Sequence, residues 1–388
     1  MAASAPIRAA GWALLAVACA GLVSCTGKSS SPDDPVAIQV NTGTCGPKWS
    51  AHGGERTLQI KNAGTVTTEV DLIAPDTGGV YAEVEALAPN TTRSMRLTLG
   101  RGTYALRCYA EDTDGVTGPV VTVSDGPVHG AAAVKPVDNQ TLLASVKDYR
   151  TRVTAGLGQL ATDVDTLRQA LRGGDLATSR AAWLTAHLGY ERLGAAYDTF
   201  DDFADKIDGM PDGLPGGAHD PDFTGLRRIE YGLWHGEPLG SLATVADQLA
   251  TDVAGLIKAF PQQQVDPNDL PLRAHEIMEN ALQFELTGEA DQGSHTGMAT
   301  IDANLTGTQM VLDTITPVMK TRYADWDKVA LWMSRTRTAV DSTRRPDGTW
   351  TPVSALDRAQ REQLDGDIGQ LLETLAPVAA IGDVRRTS

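Results

Sequence analysis

Leu143, Val146, Tyr149, Val153, Leu157, Leu160, Val164, Leu167 and Leu171 follow one another by three or four residues. That is the period of one face of an α-helix and excludes a strand. The stripe runs for about eight turns and stops at Gly173-Gly174, a helix terminator. So long a one-sided helix must bury its stripe against other helices. The chain beyond it supplies them: apolar periods predict a helix from about 178 onward, then others at 223–235, 242–260, 272–286, 298–320, 323–334 and 354–378. The connections are mostly short, as in antiparallel bundles, and the break over 209–221 is rich in Gly and Pro.

Residues 36–125 change period. Short alternating runs such as Val36 to Val40, Glu69 to Ile73, Arg93 to Leu99 and Gly102 to Cys108 alternate with turn signals, among them Ala88-Pro89-Asn90 and Gly100-Arg101-Gly102. Strands at this spacing predict a β-sandwich. The order of strand, Ala-Pro-Asn, strand, Gly-x-Tyr and a strand ending in Cys looks like a cupredoxin-type sandwich. No His and Met follow Cys108 at short range, so a blue-copper site is absent. Residues 126–140 form a Pro/Gly/Ala linker, and 141–382 are all helical. The expected fold is multidomain, all-β followed by all-α.

The N-terminus is a targeting segment. Arg8 precedes an apolar run, residues 9–23, closed by Leu22-Val23-Ser24-Cys25. This reads as a secretory signal over 1–24 whose end matches the bacterial lipobox, with Cys25 as the lipidated residue. Residues 25–35 read as a flexible tether. The implied location is extracytoplasmic, anchored to the cell membrane. The net charge of −16 becomes −17 once the signal and its single Arg8 leave, which makes the chain a poor partner for nucleic acid. Of four cysteines, Cys19 departs with the signal and Cys25 takes the lipid. Cys45 and Cys108 remain in an oxidising setting, as a disulfide or as a pair of thiolate metal ligands.

The richest stretch for chemistry is HLGYERLGAAYDTFDDFAD, 187–205. Read as one continuous helix, it sets His187, Glu191, Asp198, Asp201, Asp202 and Asp205 on one face. Such a stripe repels itself without a cation or several arginines. Glu230, His275, Glu279 and His295 lie in further clusters of ligand-type residues. His187 and Glu191, like His275 and Glu279, are four apart on one helical face, the way bundles build carboxylate-rich iron sites. The bland alternatives are solvated acids, a satisfied core histidine and structural ion pairs to Arg227, Arg228 or Arg273. HEIME at 275–279 lacks the second His of a zincin, and neither a P-loop nor a G-x-S-x-G elbow is present. The helical part has no thiol, which excludes a cysteine protease there.

The segments YERLGAAYDTFDDFADKID, DPDFTGLRRIEYGLWHGE, LPLRAHEIMENALQFELTGEADQGSHT and DANLTGTQMVLD resemble the imelysin, or M75 peptidase-like, family. With the Cys45 and Cys108 segments, nearly all of 36–380 resembles the EfeO iron-uptake family in its form with an N-terminal cupredoxin-like domain. The resemblance implies an iron-binding protein that serves an EfeU-type permease beside an EfeB-type haem peroxidase. It implies Glu191, Glu230 and His295 as ligands of ferrous or ferric iron, and Cys45, Cys108 and Glu69 as a second site for copper or iron. The family carries His-x-x-Glu where this chain has Arg227 and Glu230. Arg cannot ligate a cation, so His187 is the expected replacement imidazole, and Asp201, Asp205 and Glu279 complete the candidate ligands. Arg227 is expected to pair with a ligand carboxylate and His275 to stand beside the ligands. No catalytic residue is assigned. The alternatives are an M75-class metallopeptidase and a cell-surface interaction protein without metal.

Overall fold

A computed structural model describes residues 35–386 except Asp112. The signal, the lipobox and Cys25 lie outside the described residues.

The alternating runs form two sheets. One has the order β1 (Val36–Val40), β2 (Gly54–Asn62), β5 (Thr92–Leu99). The other has the order β4 (Val80–Leu87), β3 (Thr68–Ile73), β6 (Gly102–Ala110), β7 (Val116–Thr117), with β8 (Val121–Val123) also on β6. β1 runs parallel to β2, and the remaining pairs are antiparallel. Ile38, Leu58, Ile60 and Leu99 of the first sheet share a core with Val70, Leu72, Val84 and Leu106 of the second.

Cys45 and Cys108 are joined as a disulfide, with Cα atoms 5.4 Å apart, and both are buried. The pair therefore offers no thiolate to a metal. Glu69 does not join it either. Val70 stands opposite Cys108 on the core side of the sheet, so Glu69, one residue earlier, points to the other face. The expected three-residue second site is not assembled. A Cβ on Gly118 would lie 2.1 Å from the Cys45 carbonyl oxygen, so only glycine lets the chain pass the bridge.

The long stripe forms α1 (Asn139–Gly173). Asp138 and Thr141 close its start in a capping box, and Gly174 ends it in the left-handed region. Its buried face enters one residue earlier than the stripe predicts, at Leu142, while Leu143 is 57% exposed. Next come α2 (Leu176–Glu191), α3 (Asp202–Asp208), α4 (Gly225–Trp234), α5 (Leu239–Ala259) and α6 (Asp269–Asn280). The last three are α7 (Gly297–Met319), α8 (Trp326–Asp341) and α9 (Arg358–Gly382). One apolar core runs through them. No helix among the described residues is long and apolar enough to cross a membrane.

The largest departure from expectation lies in the acidic stripe. The helix does not continue from 178 through 205. It ends at Glu191, turns at Arg192-Leu193, proceeds as a tight 3-10 turn over Gly194–Phe200, and restarts as α3. Packing forces the break. A Cβ on Gly307 of α7 would sit 2.9 Å from the Arg192 carbonyl oxygen, and one on Gly156 of α1 would sit 2.7 Å from Leu193. The six acidic and imidazole side chains therefore do not share one face.

Candidate metal centre

Only His187 and Glu191 of the stripe reach the interior, both from the last turn of α2. His187 is wholly buried. Its ring stacks on Trp183 at 5.0 Å, and Trp183 Nε1 donates to the Leu226 carbonyl, which sets the ring plane. His187 Nε2 lies 3.3 Å from Thr300 Oγ1 and 3.6 Å from Glu191 Oε1. Its Nδ1 lies 3.5 Å from Oδ1 of Asp208, at the end of α3. His187, Glu191 and Asp208 each present a ligand atom within 4.8 Å of the others.

α4 delivers Arg227 and Glu230 to the same point. Its start requires glycine. Gly225 has φ 79°, and a Cβ there would meet the Ile207 carbonyl oxygen at 2.3 Å. This close approach brings Arg227 up to Asp208. Gly225→Ala should destabilise the protein by about 1–3 kcal/mol, through clash and left-handed strain together. Chemical denaturation of the pair of proteins reads this directly.

The Arg227 guanidinium, 6% exposed, is the hub. It donates to Glu191 at 3.1 Å, Glu285 at 3.1 Å, Asp208 at 3.2 Å and the Ala290 carbonyl at 3.3 Å, with Glu230 at 3.7 Å. Glu285 comes from a π-helical turn, Ala281–Glu285, that extends α6. Glu230 Oε1 accepts from the backbone N–H groups of Gln292 and Ser294 and from the Ser294 hydroxyl. Four carboxylates thus surround one guanidinium.

The electrostatics are unbalanced. Burial raises Glu191 to about 7, against the opposing pull of His187 and Arg227. Burial also raises Glu230, opposed by Arg227 and His187. Burial and Arg227 push His187 down, but Asp208 and Glu191 outweigh them and hold it above its ordinary value. Three polar atoms at the centre are held only by long ionic contacts and make no full hydrogen bond: His187 Nδ1 and Asp208 Oδ1, which face each other at 3.5 Å, and Glu230 Oε2, 3.7 Å from Arg227. Such incompletely satisfied buried atoms are costly, and three around one spot suit a further cation. Imidazole with carboxylate oxygens suits a borderline first-row ion.

A cleft of about 530 Å³ leads from solvent to Asp208, between Asp205, Asp212, Asp222, Tyr190 and Tyr197. A second cleft of about 400 Å³ reaches Glu285 from another side and is lined by Asp291, His295 and Arg361.

The remaining sequence candidates lie outside the centre. Asp205 stands on the cleft wall. Asp201 is exposed, with φ 52°, at the start of α3, and Asp198 pairs with Arg273. His275 and Glu279 face each other at 3.7 Å along α6, and Glu279 also accepts from Gln283. Neither touches the Arg227 hub, because the side of α6 that carries them is the half-exposed one. His295 is at the mouth of the second cleft, its Nδ1 2.6 Å from Asp291. It reaches the centre only through its loop, whose Ser294 holds Glu230. Sequence reasoning missed Asp208, Glu285 and Asp291. Asp208 ends the quoted YERLGAAYDTFDDFADKID segment and Glu285 lies inside the 270–296 segment, so the only available signal was their membership of those blocks.

Residues 145–378, more than half of the chain, match the family model for imelysin, peptidase M75. Full-length relatives carry the name iron uptake system component EfeO. The protein from Escherichia coli O6:K15:H31 is 27% identical over 373 residues, 95% of this chain and 96% of its own length. Those from Escherichia coli K12 and Shigella flexneri are 26% identical over the same coverage. The matched span contains α2, α3, α4, the 281–285 turn and every residue of the Arg227 hub. With the centre and its scaffold inside that match, the chain belongs to the imelysin, or M75 peptidase, family, and the EfeO proteins are its relatives along almost the whole length.

Proposed function

We propose that the protein takes part in iron uptake by capturing an iron ion at His187, Glu191 and Asp208, with Glu230 beside them, and releasing it to a membrane permease. The observation that carries this reading is the convergence of His187, Glu191 and Asp208 ligand atoms within 4.8 Å of one another beside an acidic hub, with atoms there that make no full hydrogen bond. With all four carboxylates ionised and His187 neutral, the state a bound cation requires, Glu191, Asp208, Glu230 and Glu285 outnumber Arg227 by three charges. In that deprotonated state a ferrous ion would cut the excess to one and a ferric ion would cancel it. Arg227 then holds the carboxylates in place between loadings without ligating. The acidic cleft over Asp208 attracts the cation and supplies its route. The relatives' name specifies iron among the borderline ions. The EfeU-type permease, the EfeB-type haem peroxidase, the lipid anchor at Cys25, the cupredoxin-like character of the sheets and the outer roles of Asp205 and His295 extend the same reading.

Bound cation should stabilise the fold, by about 2.7 kcal/mol at a free concentration one hundred times Kd. Thermal melts under anaerobic conditions should rise with ferrous ion and fall back with chelator, and His187→Gln should abolish the shift. An unshifted wild-type melt would sink the proposal. Binding also has a pH signature. Glu191 is held above its ordinary 4.5, at about 7, so the folded chain grips this proton more tightly than the unfolded chain does. The cation-free protein keeps that contribution at low pH and loses it as pH rises from about 4.5 through about 7. A cation must displace the proton, so its affinity should climb between about pH 6 and 8 with proton release. Calorimetry in two buffers of different ionisation enthalpy measures the released protons.

A further inference from the structure

His187 can offer either ring nitrogen to an ion, and its neighbours decide which. In a neutral imidazole one nitrogen carries the proton and the other carries the lone pair that can ligate. Nε2 lies 3.3 Å from Oγ1 of Thr300, in the first turns of α7, and 3.6 Å from Glu191 Oε1. The Thr300 hydroxyl donates its own hydrogen to the carbonyl of Thr296, the residue that caps α7, at 3.5 Å. Its oxygen therefore meets Nε2 as an acceptor. An ionised Glu191 can only accept. Both neighbours of Nε2 thus call for a hydrogen, and the ring proton belongs on that side.

Nδ1 faces the other way. Its neighbour is Asp208 Oδ1 at 3.5 Å, and neither atom makes a full hydrogen bond. With the proton on Nε2, a lone pair confronts a carboxylate oxygen here, and a cation between them relieves the contact. Asp208 also lines the cleft that opens to solvent, so Nδ1 lies on the side from which an ion arrives. The ring plane is fixed by the stack on Trp183, at an interplanar angle of 7°.

We propose that Thr300 is a positioning residue of the metal centre: by accepting from His187 Nε2 it keeps the proton there and leaves Nδ1, beside Asp208, as the ligand atom. This role rests on the iron reading above and adds which nitrogen binds and what holds it. Thr300 is 1% exposed, so water does not stand in for its hydroxyl. An outer partner that fixes the tautomer of a ligating histidine is worth roughly 10–100-fold in metal affinity. The same short segment also supports Glu230. The Ser294 hydroxyl reaches both Glu230 Oε1 and Thr296 Oγ1, and the Thr296 carbonyl holds Thr300. Residues 294–300 thus set the posture of His187 and of Glu230 together.

Nitrogen-15 NMR of the full chain reads the tautomer, with His187→Gln identifying the ring signals. In the cation-free protein, at alkaline pH where the imidazole is neutral, the proton should sit on Nε2. Zinc, a diamagnetic stand-in for ferrous ion, should shift Nδ1 and leave Nε2 protonated. Thr300→Val removes the acceptor and keeps the side-chain shape. It should give a mixture of tautomers and weaken zinc and ferrous ion about 10-fold. Thr300→Ser returns the hydroxyl and should recover both. The wild-type spectra carry the test even if Thr300→Val folds poorly. A proton on Nδ1, zinc on Nε2, or an unaltered tautomer and affinity in Thr300→Val would overturn the role of Thr300 and leave the iron reading standing. A wild type that binds neither zinc nor ferrous ion would overturn the iron reading itself, and the role of Thr300 with it.

Discussion

Arg227→Gln should destabilise the cation-free protein by about 3–5 kcal/mol, the usual result of removing one partner from a buried ionic cluster. The guanidinium serves Glu191, Asp208 and Glu285 directly and Glu230 at longer range, and glutamine replaces none of its charge. The loss should shrink toward pH 5, because Glu191 and Glu230 are already raised and will take up protons more readily once Arg227 is gone. The same change should strengthen cation binding, by at least roughly ten-fold, since a positive charge within a few ångströms of the ion disappears. Ferrous ion should thus recover much of the lost stability. Urea melts at pH 5 and 7.5, with and without ferrous ion, check both halves. A variant as stable as the wild type at pH 7.5, with unaltered cation affinity, would mean that Arg227 does not balance the cluster.

Replacing Cys45 and Cys108 together by serine should destabilise the β part by about 4 kcal/mol on the chain-entropy relation for a bridge of this span. The bridge closes a sequence separation of 63 residues and both ends are buried, so reduction frees a long loop and opens the core between the sheets. Melting in the presence of a reductant should show the same loss for the wild type and no further loss for the serine variant. Thiol counting on the folded protein should find neither Cys45 nor Cys108 free. Ferrous binding at His187 should be indifferent to the change, because the bridge lies in the other part of the chain.

Local chemistry was legible in the sequence, and long-range assembly was not. The period from Leu143 to Leu171, the Gly173-Gly174 stop and the switch from period two to period 3.6 all reappear in the structure. These signals depend on neighbours in sequence. The acidic stripe failed because its helix is cut at Arg192 by the backbone of α7, passing at Gly307, a contact across more than a hundred residues. Helical geometry therefore placed Asp201 and Asp205 beside Glu191, where packing puts Asp208 instead. Glu279 failed for the opposite reason. Its helix is real, but the face that carries it is turned away from the hub, while the π-turn after Asn280 rotates Glu285 inward. Arg227 was expected to pair with one carboxylate, and its position at the crossing of α2, α3, α4 and the 281–285 turn surrounds it with four.

His187, Glu191 and Asp208 are the proposed ligands of the iron ion. Anaerobic titration calorimetry with ferrous ion tests this most directly, comparing the wild type with Asp208→Asn and Glu279→Gln. The wild type should bind one ferrous ion tightly per chain, with affinity weakened about 100-fold or more in Asp208→Asn and retained in Glu279→Gln. Equal ferrous affinity in the wild type and Asp208→Asn would contradict it.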